Sequence, residues 1–577
     1  MAHSRRRFIA NLALSGAGIV AGSAFGPGLA EAFARRAAVG NALRFPPLFD
    51  GGDLVAERRE IGIYDDRPTS LLTFGGSFPG PTIRVRRGQE LRARLVNRLD
   101  EPTNVHWHGL LAPAMMDGHP MHAVAPGESR EYRFTVDQRA GTYWYHPHAH
   151  MSTARQAYLG MAGFFIVDDP DEESIGLPSG ARDVPIVLQD RRIGADRSIA
   201  YAPSMLDTMS GMLGPTLLVN GTPDAYHEVS RDLYRVRVLN GSNARIYRLG
   251  LGDGETFHLI ASDAGLLDRP HAVTEVFLAP GERVELLVDF TQRDIGTSVM
   301  LRSLVYDNAA SPQFQGWPFD VLRFDVTRPT EAAGVVVPVA LATLDRPSIS
   351  PATRTRTMRL AMVHMHPAMA HTINGRAYDM SRTDERIVAG ATEVWELVND
   401  DNDEPHPMHL HAAHFQVLER NGAPSVDPKD LGWKDTVLVD PIERVKIAVR
   451  FGDETGMFVA HCHNLEHEDS GMMINMAIES AADAGADADA HYLQIDALAP
   501  NPATDHVELT ASLRSGGPIM IELFDVIGRR VRAFDHGRRG AGTMSALIDV
   551  SELAEGAYLL RVSCGDRSVD APVRVVR

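Results

Sequence analysis

The sequence predicts an all-β protein assembled from repeated sandwich modules, and three observations carry that prediction. Runs such as PTIRVRRGQELRARLVN, YRVRVLNGS and ATEVWELVND alternate apolar and polar residues between turn signals, the period of a strand. The 577-residue chain holds 50 glycines and 35 prolines, which favours many short strands and turns over long helices. It also repeats itself. A strand ending in asparagine occurs as RLVN at Asn97, RVLN at Asn240 and ELVN at Asn399. A turn entering a strand occurs as PGESREYRF from Pro126 and PGERVELLV from Pro280. The segment GTYWYHPH, Gly141–His148, parallels GMFVAHCH, Gly456–His463, with Pro147 standing where Cys462 does.

A chain of this length exceeds one core. The repeats set β-sandwich modules over residues 45–170, 180–330 and 350–480, each of about 130–150 residues, an ordinary domain size. The middle module has lost the histidines, since GSNARIYRL follows Asn240. A small-residue acidic linker, AADAGADADA, opens the stretch 481–496. Residues 497–577 then form a compact β-rich unit containing APNPATDHVELT, IELFDVIGRRV and LAEGAYLLRVS.

The net charge of −18 argues against a nucleic-acid partner and favours neutral or cationic substrates. Only two cysteines are present, Cys462 and Cys564, and they lie in different modules, so a disulfide framework is not expected. Cys462 reads instead as a functional thiolate. At the N-terminus Arg5–Arg7 precede a short apolar stretch broken by Gly and Pro, then small residues, the pattern of an export signal over 1–34 rather than a membrane anchor. No later segment is long and apolar enough to span a bilayer.

The chemistry sits in four stretches: HWHG from His106, HPHAH from His146, HPMHLH from His406 and HCHNLEH from His461, the last followed by Met472. On a strand, successive side chains point to opposite faces, so His-x-His puts both imidazoles on one face. The pairs His106/His108, His146/His148, His409/His411 and His461/His463 therefore offer eight imidazoles that converge if the first and third modules meet. Imidazole sites suit copper, zinc, iron or nickel. By the same parity Cys462 points away from His461 and His463, and His406 faces away from His409. With His467 and Met472, on the loop after the strand, they make a His2Cys set with a weak axial Met, the ligands of a blue-copper site. Structural zinc favours paired cysteines instead.

These four signatures together resemble the three-domain multicopper oxidases of the bacterial laccase and cuprous-oxidase kind, over residues 45–480. The resemblance implies three cupredoxin-like Greek-key β-sandwiches, the middle one without copper ligands. It implies four coppers per chain: type 1 at His406, Cys462, His467 and Met472; type 2 at His106 and His409; a type 3 pair at His108, His146, His148, His411, His461 and His463. It further implies that electrons from a small reducing substrate pass through Cys462 to O2, which is reduced to water. Asp117, in AMMDGHP, matches the acid that follows the first copper motif in this family, and Glu468, in LEHED, the acid of the cuprous-oxidase-like members; both read as proton supply to the oxygen site, and each is equally readable as a partner that only orients an imidazole. His119, His122, His150 and His414 match no family position and read as loop histidines or as partners beside ligands. Trp107, Trp144 and Tyr145 read as packing around ligands.

The implied activity is oxidation of phenols, aromatic amines or similar donors, with cuprous oxidation in copper tolerance as the alternative. The Met- and His-bearing segment MVHMHPAMAH, 362–371, is much shorter than the Met-rich insert of the cuprous-oxidase relatives and is equally explained as a strand and turn. The acidic stretch DDNDEPH before His406 suits a copper ion, a phenolic proton or plain solvent. A non-catalytic scaffold on the same fold is the remaining alternative, and the full ligand set stands against it. SRRRFIA resembles a twin-arginine signal, which exports folded, cofactor-loaded proteins to the periplasm. Asn501–Asp505 (NPATD), LFDVIGRRV and LAEGAYLLRV resemble the C-terminal sorting domain of type IX secretion substrates, an immunoglobulin-like β-sandwich. That resemblance implies onward travel to the cell surface or medium; a generic accessory domain is the alternative.

Overall fold

The computed structural model describes residues 40–577 apart from 253, 307–314, 332–333, 366–367, 402–403, 482–492, 514–516, 526–528, 541 and 565–566. The expected export signal, 1–34, and most of the expected linker fall outside these residues. The chain divides into two compact units, Met1–Ile478 and Glu479–Arg577. Among the described residues both are almost wholly β, and no helix is long and apolar enough to cross a membrane.

Among its described residues the first unit contains three pairs of sheets, with four and four strands, then six and seven, then six and five. Each pair has its own core: Leu54, Trp107 and Phe165 in the first, Val236, Leu286 and Phe324 in the second, Trp395, Ile447 and Met476 in the third. The strand Asn41–Ala42 pairs parallel with Ala225–Ser230, so the segment before residue 45 belongs to a sheet of the middle module.

The asparagine repeat has a structural cause. Its strand pairs parallel with the strand that opens its module: Glu90–Asn97 with Gly52–Ile61, Leu233–Asn240 with Asp183–Arg191, Thr392–Asn399 with Thr355–Met365. On its other side it pairs antiparallel with Ser129–Thr135, Arg283–Asp289 or Arg444–Phe451. The side-chain amide then closes the strand end. Nδ2 donates to two carbonyls: Glu101 and Val124 for Asn97, Arg245 and Leu278 for Asn240, Glu404 and Val439 for Asn399. Oδ1 accepts the backbone N–H two residues on, from Leu99, Ser242 and Asp401. Only an amide side chain both donates twice and accepts, and Asn has the reach for it so close to its own backbone.

The Pro turn also occurs three times rather than two. The backbone N–H of each asparagine donates to the carbonyl of the turn glutamate: Asn97 to Glu128, Asn240 to Glu282 and Asn399 to Glu443. The third copy, Pro441-Ile442-Glu443-Arg444, escapes a sequence search because Ile442 replaces the glycine. Gly127 and Gly281 hold φ of 80° and 84°, and Ile442 holds 57°. This left-handed conformation costs a β-branched residue about 1–2 kcal/mol.

In the second unit a three-stranded sheet, Leu493–Ala499, His506–Leu513 and Gly542–Asp549, and a four-stranded sheet, Arg530–Arg539, Gly517–Asp525, Gly556–Cys564 and Arg567–Val575, share a core of Val507, Leu509, Ile521 and Leu560. The side chain of the last residue, Arg577, donates to the carbonyls of Val550 and Ser551, tying the chain end to this fold.

Ile442 is 61% exposed, so little packing is lost on truncation. Ile442→Gly is expected to stabilise the third module by about 0.5–1 kcal/mol, the relieved strain less the backbone entropy that glycine adds to the unfolded chain. Calorimetry of the apo-protein checks this; a lowered midpoint would mean that the turn is not strained.

Candidate metal centre

Two strand pairs place the histidines, with His148, His411 and His463 lying just past the ends of theirs. In the first module His106 lies opposite His146, Trp107 opposite Tyr145 and His108 opposite Trp144. In the third, His409 lies opposite His461 and Met408 opposite Cys462. The pleat sends alternate residues to opposite faces, so Trp107 enters the first core while its neighbours face the module interface. All eight His-x-His imidazoles are buried to within 1% of their surface. His106 stacks on His411 and His108 on His409, each with ring centroids 3.7 Å apart. Inward nitrogens nearly touch: His106 Nε2 to His409 Nε2 is 3.3 Å, His108 Nδ1 to His146 Nε2 3.4 Å, and His461 Nε2 is 3.2 Å from His148 Nε2 and 3.3 Å from His411 Nε2.

The outward nitrogens decide what these approaches are. His106 Nδ1 bonds the Asp117 carbonyl at 2.7 Å, His409 Nδ1 the Asp435 carbonyl at 2.9 Å, His146 Nδ1 the Pro147 carbonyl at 2.8 Å and His461 Nδ1 the Cys462 carbonyl at 3.0 Å. A carbonyl only accepts, so each Nδ1 carries the proton and each Nε2 of the neutral ring is a bare lone pair. Burial pushes His106, His108, His148, His409, His411 and His463 well below the ordinary imidazole range, and His146 down to about 4, so these rings stay neutral near pH 7. Lone pairs aimed at one another across about 3.3 Å in a dry interior repel unless a cation lies between them. Both ring nitrogens of His463 are buried without a hydrogen-bond partner. The donor set therefore fits metal ions bound by imidazole.

A second cluster lies on the other face of the third-module strands. Cys462 Sγ is 3.7 Å from Nδ1 of both His406 and His467, and those two nitrogens are 3.2 Å apart. His467 Nε2 donates to the Met209 carbonyl at 2.6 Å, which leaves its Nδ1 lone pair facing the sulfur. His467 stands on a one-turn helix, Leu465–Asp469, rather than on a plain loop. Glu466 pins that helix by accepting from Met212 N–H and Asn243 Nδ2, and Asp469 by accepting from the N–H groups of Thr153 and Ala154. Burial raises the Cys462 thiol, so the proton stays on sulfur until a metal displaces it. Met472 is buried in the same core, its carbonyl accepting from Cys462 N–H at 3.0 Å.

The acids flanking the eight imidazoles are also in contact. Asp117 Oδ2 lies 2.6 Å from His411 Nδ1, and burial raises its carboxyl well above the usual range. Glu468 Oε2 lies 3.1 Å from His461 Nδ1, and its Oε1 3.6 Å from His148 Nδ1. His119, His122, His150 and His414 bring no nitrogen into either cluster; His119 Nε2 meets Asn475 and His414 Nε2 the Gly109 carbonyl. Trp107, Trp144 and Tyr145 are buried, and Trp144 packs 4.3 Å from the His146 ring.

Three contacts are absent from the sequence reading. Asp435 Oδ1 is 3.1 Å from His108 Nε2; burial alone would raise this carboxyl, but Arg283 holds it well below the ordinary range. The only sequence signal was the Lys434–Asp435 charge pair set against an apolar run. His371, from the Met- and His-bearing segment, stacks on His467 at 3.9 Å. Asp401, from the acidic stretch, has Oδ2 3.2 Å from His406 Nε2.

The pattern described as multicopper oxidase fits residues 57–172 and again 349–482, and that of the secretion system C-terminal sorting domain fits 497–573. A laccase of Bacillus subtilis is 33% identical over 472 residues, covering 71% of this chain and 90% of that one. The chain belongs to the multicopper oxidases. The McoA multicopper oxidase of Aquifex aeolicus superimposes with a TM-score of 0.71 at 35% identity, over 77% of this chain and all of that one. A cell division protein, FtsP, of Photorhabdus laumondii is 34% identical, over 76% of this chain and 91% of that one. This multicopper oxidase is thus a copper-binding oxidoreductase that uses O2, with a C-terminal sorting domain that directs export.

Replacing the one thiol of the second cluster separates the two sites. Cys462→Ser is expected to abolish the blue thiolate-to-copper absorption of the loaded protein while the eight-imidazole cluster keeps its copper. Metal analysis with electron paramagnetic resonance checks this; a persistent blue band would place the thiolate elsewhere.

Proposed function

We propose that this protein is a laccase-like oxidase that couples one-electron oxidation of phenolic or similar aromatic donors to four-electron reduction of O2 to water. The observation that carries it is the convergence of bare imidazole lone pairs beside a separate His2Cys cluster. The residue assignment is a type 1 copper held by His406, Cys462, His467 and Met472, a type 2 copper by His106 and His409, and a type 3 pair by His108, His146, His148, His411, His461 and His463. Copper so held supplies one-electron oxidation of the donor and reduction of O2.

The chain's own residues define the route. Cys462 is covalently flanked by His461 and His463, so the joint between the clusters is two peptide units with no gap to cross. His461 Nδ1 also bonds the Cys462 carbonyl, which fixes that ring against the joint. Asp117 and Glu468 each touch an outward imidazole nitrogen and so stand where a proton can be held beside the oxygen side. Export through a twin-arginine signal to the periplasm, then onward by the sorting domain, is the route that matches a protein folded around its metal.

A second reading, cuprous oxidation, is favoured by Asp401 on the outer nitrogen of His406 and by His371 stacked on His467, since both bring copper-affine groups to the electron-entry side. A non-catalytic scaffold role is disfavoured because every ligand position carries a ligating residue.

Parallel steady-state assays with a phenol and with Cu(I), each with and without added Cu(II), separate the readings. Laccase-like activity is expected to persist without added copper; strict dependence of phenol turnover on Cu(II) would favour cuprous oxidation. Asp117→Asn and Glu468→Gln are each expected to slow O2 reduction by about 10²–10⁴-fold, the contribution of a positioned proton donor, with the blue band intact. Unchanged turnover would remove these acids from proton supply.

A further inference from the structure

The middle module supplies no ligand to either cluster, yet two of its residues form part of the wall of the eight-imidazole site. Both belong to the turn PGER, which the sequence marked only as a repeat. Gly281 holds φ 84°, and a Cβ built there would stand 2.9 Å from His463 Cδ2, 3.0 Å from its Cγ and 3.2 Å from His108 Cε1. The equivalent Gly127 of the first module, at φ 80°, faces open space. The equivalent Ile442 of the third carries a side chain into solvent. Of three copies of one turn, the middle copy alone abuts the imidazoles.

Arg283, two residues on, is fully buried, and all five of its N–H donors have acceptors. Nε donates to the Thr142 carbonyl, on the strand that carries His146, at 2.9 Å. Nη1 and Nη2 donate to the Gly281 and Asp263 carbonyls, each at 2.9 Å. The same two nitrogens form a bidentate pair with Asp435 of the third module, at 2.8 and 2.5 Å. Asp435 in turn lies 3.1 Å from His108 Nε2. Both Asp435 oxygens accept from the Arg283 guanidinium, so Oδ1 meets His108 Nε2 as an acceptor; His108 carries its proton on Nε2 and turns Nδ1 toward His146, the reverse of His106, His146, His409 and His461.

We propose that Arg283 and Gly281 are positioning residues for the eight-imidazole site: Arg283 fixes through Asp435 which nitrogen His108 offers, and Gly281 sets the rings of His463 and His108 by backbone contact. The proposal rests on the copper reading above. It makes the ligand-free module part of the site and explains why the pair Arg283–Asp435 bridges modules two and three at the imidazoles.

The test uses the full chain, loaded with copper, as wild type, Arg283→Lys, Gly281→Ala and Gly127→Ala. The readouts are copper per chain, blue absorption, the paramagnetic resonance of the cluster copper, and a chelator competition for affinity. Arg283→Lys keeps the charge and loses the fork; Gly281→Ala adds one methyl. Each is expected to keep the blue band and to weaken copper at the eight imidazoles by about 10–100-fold, the usual effect of losing an outer partner of a ligand. Gly127→Ala carries the same backbone strain in open space and is expected to match wild type. Wild-type cluster affinity and resonance in both Arg283→Lys and Gly281→Ala would overturn the proposal, as would equal losses in Gly281→Ala and Gly127→Ala for the glycine. If Arg283→Lys does not fold, Asp435→Asn, which keeps the volume and removes the held charge, decides the arginine's part by the same readouts. A wild type that takes up no copper overturns the copper reading itself, and the proposal with it.

Discussion

The constraint on which the rest of this structure depends is the mutual exposure of neutral imidazole lone pairs inside a dry interface. His106 and His409, whose outer nitrogens are committed to carbonyls, turn bare inner nitrogens toward one another at 3.3 Å, and the inner nitrogens of the neighbouring rings approach within 3.2–3.4 Å. Such an arrangement is unfavourable until cations enter, so the protein must hold it by force from outside. The three cores, the asparagine closures and the Arg283–Asp435 pair are what resist its relaxation. Copper affinity and rigidity of the shell are thus one property seen from two sides.

The same constraint explains why the two clusters sit back to back. A strand presents opposite faces at successive residues, so on the proposed copper assignment one residue step converts an oxygen-side ligand into an electron-entry ligand. His461 and Cys462 are that step, and the pairing of Met408 with Cys462 and of His409 with His461 repeats it on the facing strand. His406, three residues before His409, joins the sulfur side for the same reason.

Much of this was legible in the sequence because strand parity is local. The four His-x-His pairs, the division of Cys462 from its neighbours and the triplication marked by Asn97, Asn240 and Asn399 follow from spacing alone. What was not legible was set by tertiary approach. His371 and Asp401 carry no spacing signal, since they reach His467 and His406 only through the folding of a hairpin and an acidic loop. Asp435 was hidden in an apolar run, and its role depends on an arginine 152 residues earlier. The third turn was hidden for the opposite reason: its backbone is retained while its glycine is not, because Ile442 is largely exposed there.

The three turns show how a repeated fold distributes function unequally. The closure between asparagine and turn glutamate recurs in all three modules. That closure fixes backbone position, so whatever occupies the turn is delivered to a predetermined place. In the first module that place is open, and glycine there serves the dihedral alone. In the third it is solvent, and a side chain is tolerated at the cost of strain. In the middle module it is the back wall of the imidazole site, where dihedral and space both demand glycine. A module that surrenders its histidines can therefore keep a part in the chemistry, because the scaffold bond that positions its turn does not depend on carrying a ligand.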